Sequence, residues 1–301
     1  MSIPFLDAGT ISDAIDGIED SLRRGLDPEA DPRRTIVDVD AGQILFMPST
    51  VPGYAGVKLV TIAPGNAERG LPRIHGVYLL LDSATLSPLA LLDGGALTVT
   101  RTPAVSAVAV RHLAGARARR LVVFGTGPQA WGHVEAIRQV RPIEHVGVVG
   151  RRPNAVSAFV ARCHDVGLGA DPAAPDAVAS ADVICCATTA RQPLFDGALV
   201  PDHATVVAVG SHEADAREVD DVLVGRSTVV VDARSTALRE AGDIIQAIRS
   251  GACTEAALNT LDELVRGEVT VVARRPRLFK STGMAWQDLV VAAAAYRRWS
   301  S

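Results

Sequence analysis

The sequence predicts an α/β protein in two parts, a doubly wound parallel sheet in the second half and an α+β domain ahead of it. Length is the first reason: 301 residues leave room for two domains at roughly 150 residues each. The second is rhythm, because from Arg120 onward short apolar runs alternate with helical stretches. The third is contrast: between Gln43 and Leu92 β-rich runs follow one another without helices between them.

Composition narrows the class. Hydrophobic residues make up 48%, charged residues 21%, and 30 basic against 34 acidic side chains leave a net charge of −4, which argues against disorder and against nucleic-acid binding. The longest apolar stretches, such as Val77 to Leu81 and Val290 to Ala295, fall far short of the roughly 20 residues that span a bilayer. Asp7, Asp13 and Asp16 stand where a signal peptide would carry basic and then apolar residues, so a cytoplasmic protein is expected. Cys163, Cys185, Cys186 and Cys253 form no Cys-x-x-Cys pair, which supports neither a metal site nor a disulfide framework.

Along the chain, Ile11, Ile15, Ile18, Leu22 and Leu26 recur at helical spacing behind a Thr10 cap and before Gly25 and Pro28. The runs ILFM, GVKLVTI, HGVYLLL and PLALL then read as strands separated by Pro, Gly and Asn clusters. A helix is expected to open at Arg101-Thr102-Pro103, with Thr as cap and Pro in the first turn. After Arg120 come RLVVF, PQAWGHVEAIRQV, HVGVVG, PNAVSAFVARC, ADVICCAT, TVVAVG and TVVVDA, strand and helix in turn, and the tail ends in a long apolar helix.

Directly after RLVVF stands Gly125-Thr126-Gly127-Pro128-Gln129-Ala130, a G-x-G-x-x-A pattern at a strand-to-helix junction. The first Gly permits the tight turn, the second admits a pyrophosphate against the backbone, and the small Ala lets helix and strand pack. The helix N-terminus then faces the phosphates. This is the fingerprint of a Rossmann-type dinucleotide site. After HVGVV, where an NAD-specific site carries Asp or Glu for the ribose, the chain reads Gly150-Arg151-Arg152-Pro153. Two guanidiniums suit a 2′-phosphate, so NADP(H) is expected to be preferred, with NAD(H) possible.

Three cations of the first half lie beside or inside apolar stretches: Arg34, Lys58 and Arg101. A buried cation requires an anion. Taken from its own segment, however, Lys58 reads as an edge or solvent-facing strand residue.

PRRT, Met47-Pro48, GVKLVTIAPGN, LTVTRTPAVSAVAVRHLA, VVFGTGPQAWGH, ADVICCATT, VVAVGSHEADAREVD and LFKSTGMAWQDL, in that order, resemble the ornithine cyclodeaminase/mu-crystallin family over nearly the whole chain. The resemblance implies a substrate-binding and dimerisation domain at 1–113, completed by 283–301, and a Rossmann domain at 114–282. It implies that Arg34, Lys58 and Arg101 hold a substrate α-carboxylate, with Met47 beside them at the substrate, and that Thr188 and Ser281 lie on cofactor-contacting loops. It also implies a homodimer.

One departure bears on the reaction. Where the family's cyclodeaminases carry an Asp for the substrate's distal amine, this chain reads Val209-Gly210-Ser211-His212-Glu213. An imidazole is a poor partner for an ammonium. Glu213 or Asp215 could compensate only with a shifted loop. The expected activity is therefore an NADP(H)-dependent oxidoreductase at C2 of an amino acid or its imine, a ketimine reductase or amino-acid dehydrogenase, with Lys58 and His212 as candidate proton-handling residues. The alternatives are ornithine cyclodeaminase, a mu-crystallin-like binder of NADPH and a small ligand, and an imine-forming synthase.

Overall fold

The computed structural model describes residues 3–300. They form two compact units, residues 3–104 with 284–300, and residues 105–283.

The first unit is built on β1 (Phe5–Leu6), α1 (Ile11–Arg23), β2 (Thr35–Val39), β3 (Gly42–Val51), β4 (Tyr54–Ile62), β5 (Ile74–Asp82) and β6 (Pro88–Asp93). Its six-stranded sheet runs β1-β6-β5-β4-β3-β2, antiparallel from β2 to β6, with β1 parallel to β6. The expected first helix forms: Thr10 Oγ1 accepts from the Asp13 amide, and Ile15, Ile18 and Leu22 are buried. It stops at Arg23, short of Leu26, because Gly25 takes a left-handed φ of +91°.

The next helix corrects an expectation. α2 spans Gly94–Leu113 and carries Pro103 in its interior. Asp93 Oδ1 accepts from the Ala96 amide at 2.8 Å, which gives the chain an earlier start than Arg101-Thr102-Pro103. Pro103 donates no bond to the preceding turn, and the helix continues through it.

The second unit contains β7 (Arg120–Phe124), α3 (Pro128–Val140), β8 (His145–Val149), α4 (Pro153–Asp165), β9 (Gly169–Pro172), β10 (Val183–Cys186), β11 (Thr205–Ala208), α5 (Asp221–Arg226), β12 (Thr228–Val231), α6 (Arg234–Glu240), α7 (Gly242–Arg249), β13 (Leu258–Thr260), α8 (Leu261–Val265) and β14 (Arg277–Lys280). All eight strands pair in parallel, in the order β13-β12-β14-β11-β10-β7-β8-β9. Strands covered on both faces must be apolar throughout, which is why RLVVF, VICC and TVVA carry no alternation. From β7 the chain moves outward through β8 and β9, then returns to build the other side from β10. That reversal at the carboxyl end of β7 is where such sheets hold ligands.

The tail helix α9 (Ala285–Ser300) belongs to the first unit, where it packs on α1 and on the face of β3 and β4. Asp31 Oδ2 accepts from the Trp286 amide at 3.0 Å and so caps its first turn. Among the described residues, no helix is long and apolar enough to cross a membrane.

Candidate active site

In the first unit, Lys58 lies on β4 between Met47 of β3 and Tyr78 of β5, its direct neighbours in the sheet register. All three point to the buried face, against α9. Lys58 is 2% exposed, which overturns the solvent-facing reading of its segment. Burial of that cation is made possible by a carboxylate distant in sequence: Lys58 Nζ lies 3.0 Å from Asp288 Oδ1 and also donates to Thr98 Oγ1. Arg101 Nε reaches the same Asp288 oxygen at 3.2 Å, and its Nη1 donates to Gln287 Oε1 at 2.8 Å. Arg34, half-buried just before β2, adds its charge to the neighbourhood of Lys58.

The electrostatics follow from this packing. Burial is the main cause that brings the Lys58 pKa down to about 8; Asp288 opposes the shift, while Arg101 and Arg34 add to it. Near neutrality the ammonium is therefore a ready proton donor. Asp288 carries one negative charge against the two cations that touch it, and the surplus suits a substrate carboxylate.

In the second unit, the fingerprint stands at the carboxyl end of β7. Gly125 adopts φ +112°, and a Cβ there would lie 2.5 Å from the Ala187 carbonyl oxygen, so no other residue fits the turn. Beside Gly127 a Cβ would meet nothing within 4 Å, which leaves its backbone open to a close approach. Gly127 caps α3 without a side-chain acceptor, Pro128 occupies the first turn, and Ala130 is buried. Thr126 and Gln129 are half-buried beside them. An open glycine, a helix N-terminus whose amides no side chain caps, and a small residue against the strand fit a dinucleotide diphosphate. At the end of β8, a Cβ on Gly150 would fall 2.8 Å from Val156 Cγ2 and 3.0 Å from Thr126 Cγ2, so packing opposes an acid there. Arg151 and Arg152 follow, both exposed.

His133, on α3 behind the fingerprint, is fully buried between Ser106 Oγ (2.9 Å) and the Gln129 carbonyl (2.7 Å), and burial lowers its pKa to about 4.

Thr188 and His212 sit on the loops that leave β10 and β11. One fully buried carboxylate ties these loops together: Glu218 Oε1 accepts from the Thr188 amide and hydroxyl, both at 2.8 Å, and Oε2 from the Gly210 amide at 2.7 Å. A Cβ at Gly210 would strike the Thr188 carbonyl oxygen at 2.0 Å, so the close approach of the loops depends on glycine. Asp243 Oδ1 holds the Glu218 and Val219 amides at 2.7 and 2.9 Å, and its other oxygen forms a 2.8 Å ion pair with Lys280, off the line of a hydrogen bond. Lys280 in turn donates to the Ser211 carbonyl at 2.7 Å, one residue from exposed His212. Ser281 is buried, and its hydroxyl accepts from the Gly283 amide at 3.2 Å. The two loop carboxylates beside His212 are both engaged by Arg191, Glu213 at 2.7 Å and Asp215 at 2.5 Å.

Sequence reasoning missed Thr98, Asp288, Glu218, Asp243 and Lys280. A signal for the two lysines was present. Lys58 and Lys280 are the only lysines in the sequence against 28 arginines (30 − 2), and each is buried against an aspartate. A chain that otherwise uses arginine for positive charge retains lysine where a compact, titratable cation is needed.

Comparisons with known proteins identify the family. The profile of the Ornithine cyclodeaminase/mu-crystallin family matches residues 8–301. The chain is 35% identical over 266 residues to Delta(1)-pyrroline-2-carboxylate reductase 2 of Burkholderia ambifaria, covering 88% of this chain and 83% of that protein. It is 35% identical over 281 residues to ketimine reductase mu-crystallin of Rattus norvegicus, covering 90% and 85%. Among solved structures, Delta(1)-pyrroline-2-carboxylate reductase of Thermococcus litoralis, in complex with NADH and L-proline, superposes with a TM-score of 0.90 at 31% identity, over 98% of this chain and 97% of that one. The chain belongs to the ornithine cyclodeaminase/mu-crystallin family.

Proposed function

We propose that this protein is an NAD(P)H-dependent reductase of cyclic ketimine carboxylates, with NADPH the preferred cofactor. The observation that carries the reading is the buried set Lys58, Arg101 and Asp288: two cations on one carboxylate, poised for a carboxylate-bearing substrate. The similarity to pyrroline-2-carboxylate reductases and ketimine reductase mu-crystallin supports the same class.

Residues 1–113 with 283–301 form the substrate-binding and dimerisation domain in this reading, and residues 114–282 the dinucleotide-binding domain. Arg34, Lys58 and Arg101 bind the carboxylate and fix C2, with Met47 walling the ring beside Lys58. When bound, the reduced nicotinamide supplies the hydride. Lys58 Nζ donates the proton that the imine nitrogen takes up as it becomes the ring amine, a role to which its lowered pKa is suited. Backbone amides of the 125–130 turn hold the diphosphate, Arg151 and Arg152 the 2′-phosphate, and the Thr188 and Ser281 segments the nicotinamide end. His212, exposed on the loop that leaves β11, is the second proton-handling candidate.

Cyclodeaminase chemistry is disfavoured by the Arg191 clamp, which occupies both loop carboxylates that could meet a distal ammonium. A homodimer accompanies the proposal. The outer face of the first unit's sheet presents Phe46, Leu59 and Val77 in one row and Val57, Leu79 and Leu91 in the next, all at least partly exposed, an apolar surface of the kind that pairs subunits. A cytoplasmic setting accords with four free cysteines.

The test follows NADPH and NADH absorbance with Δ1-pyrroline-2-carboxylate and Δ1-piperideine-2-carboxylate, and with α-keto acids plus ammonia, alongside ammonia release from ornithine. NADPH oxidation by a cyclic ketimine is expected. Ammonia release from ornithine without net cofactor change would replace the proposal with cyclodeaminase activity.

A further inference from the structure

Four buried side chains end in polar atoms with no hydrogen-bond partner among the described residues and belong to the candidate site or its flanks: Tyr78 Oη, Thr102 Oγ1, Trp286 Nε1 and Asp288 Oδ2. Native interiors leave few such atoms, and these lie on residues that adjoin the candidate site in register or sequence. Thr102 follows Arg101, Trp286 opens the turn that presents Asp288, and Tyr78 faces Lys58 across the sheet.

Tyr78 is the most informative of them. Its ring is wholly buried, and its hydroxyl lies over Gly56, where a Cβ would come within 2.3 Å of Oη. The strand therefore has a glycine where the phenol oxygen needs room. Phenylalanine would fill the same volume without an unmet donor, whereas a buried hydroxyl left unpaired carries the cost of its lost hydration. After burial itself, the charges of Asp288 and then Asp31 push the Tyr78 pKa well above 10, so the phenol keeps its proton and acts as a donor near those carboxylates.

We propose that Tyr78 is a positioning residue of the imine-reducing site: its hydroxyl donates to an ordered water shared with Asp288 Oδ2, holding that carboxylate so that its other oxygen stays on Lys58 and Arg101. Buried water takes this place where two or more polar atoms lack protein partners. The inference rests on the reading of Lys58 as the site's proton donor. The groups around Lys58 are Asp288 from α9, Arg101 and Thr98 from α2, Arg34 ahead of β2, Met47 from β3 and Tyr78 from β5, with Asp31 near Tyr78 and Asp288. Asp288 is the group among them that supports the charge on Lys58.

The experiment compares wild type and Tyr78→Phe by two readouts. In protein labelled with ¹³C-lysine only two lysines respond, and Lys58→Met assigns the pair. The Lys58 titration midpoint is expected to move to lower pH in Tyr78→Phe, because a looser Asp288 supports the ammonium less. In the NADPH assay with the imine that wild type reduces, kcat is expected to fall about tenfold with the imine KM nearly unchanged and the basic limb displaced downward. An unchanged Lys58 midpoint together with a raised melting temperature would reduce Tyr78 to packing. A higher KM with an unmoved midpoint would assign the hydroxyl to the substrate instead and overturn the role through Asp288. Wild type that reduces no imine would refute the proposed function, while the lysine titration would still decide the role of Tyr78.

Discussion

Lys58 and Asp288, 230 residues apart in sequence, meet at 3.0 Å in the interior of the first unit, and Arg101 closes on the same oxygen. Removing the charge while keeping the shape isolates what this carboxylate does. Asp288→Asn leaves two buried cations without an anion, so a loss of about 3–5 kcal/mol in unfolding free energy is expected. The Lys58 ammonium also loses the group that raises its pKa, and kcat/KM for the imine at pH 7 should fall about tenfold or more. Urea unfolding and steady-state kinetics check the pair of effects. Wild-type stability in the variant would mean that the ion pair is not formed in solution.

The pH profile follows from the same residue. Lys58 titrates near 8 instead of 10.5, and the proposed proton donor is its charged form. Imine reduction is therefore expected to hold up to about pH 7 and to decline tenfold per unit above the Lys58 pKa. The sign for stability is opposite. The unfolded lysine binds its proton up to about 10.5, so the lowered folded value costs stability at neutral pH, and this cost disappears as pH rises from 8 through 10.5. A rate profile for kcat/KM that stays flat to pH 9.5 would remove Lys58 from the proton-transfer role.

How much of this was legible in the sequence varies with the range of the interaction. The dinucleotide fingerprint was legible because its parts are contiguous: strand, Gly125 turn and α3 lie within twenty-one residues, 120–140. Parallel strands were legible from unbroken apolar runs, whereas β2, whose residues are all exposed, carries no burial pattern to read. The buried state of Lys58 was not legible, because what permits it is Asp288 on the last helix. Alternation within β4 places Lys58 on a face without telling which face is covered. The start of α2 was missed because Thr102-Pro103 imitates a helix opening, while the true start is set by the Asp93 carboxylate. Glu218 and Asp243 looked like ordinary loop and helix acids; their burial depends on amides that only the folded loops present.

The proposed preference for NADPH rests on the end of β8. Gly150 leaves no room for a ribose-binding acid, and the next two residues are arginines. Replacing both Arg151 and Arg152 by alanine should raise the KM for NADPH by roughly tenfold or more, the loss of charge-assisted bonds to a phosphate, while the KM for NADH moves little. Parallel titrations of both cofactors check this. Equal losses for the two would show that the arginines serve the adenine or the fold, and not the 2′-phosphate.

His133 makes an acid-side prediction in the second unit. Its ring is fully buried, hydrogen-bonded to Ser106 and to the Gln129 carbonyl, and burial lowers its pKa from 6.5 to about 4. Between those values the unfolded chain binds a proton that the folded protein refuses. Stability attributable to this residue is therefore complete above about pH 6.5 and is lost progressively as pH falls toward 4, by on the order of 3 kcal/mol in all. His133→Gln keeps a polar side chain but cannot titrate, so its unfolding free energy should depend less on pH across that window than that of wild type, even though it starts lower at neutral pH. Because His133 sits one turn behind the fingerprint on α3, dinucleotide binding should weaken over the same range in wild type as local opening of the helix becomes easier. Parallel slopes for wild type and His133→Gln from pH 7 to 4.5 would show that the imidazole accepts a proton without leaving its site.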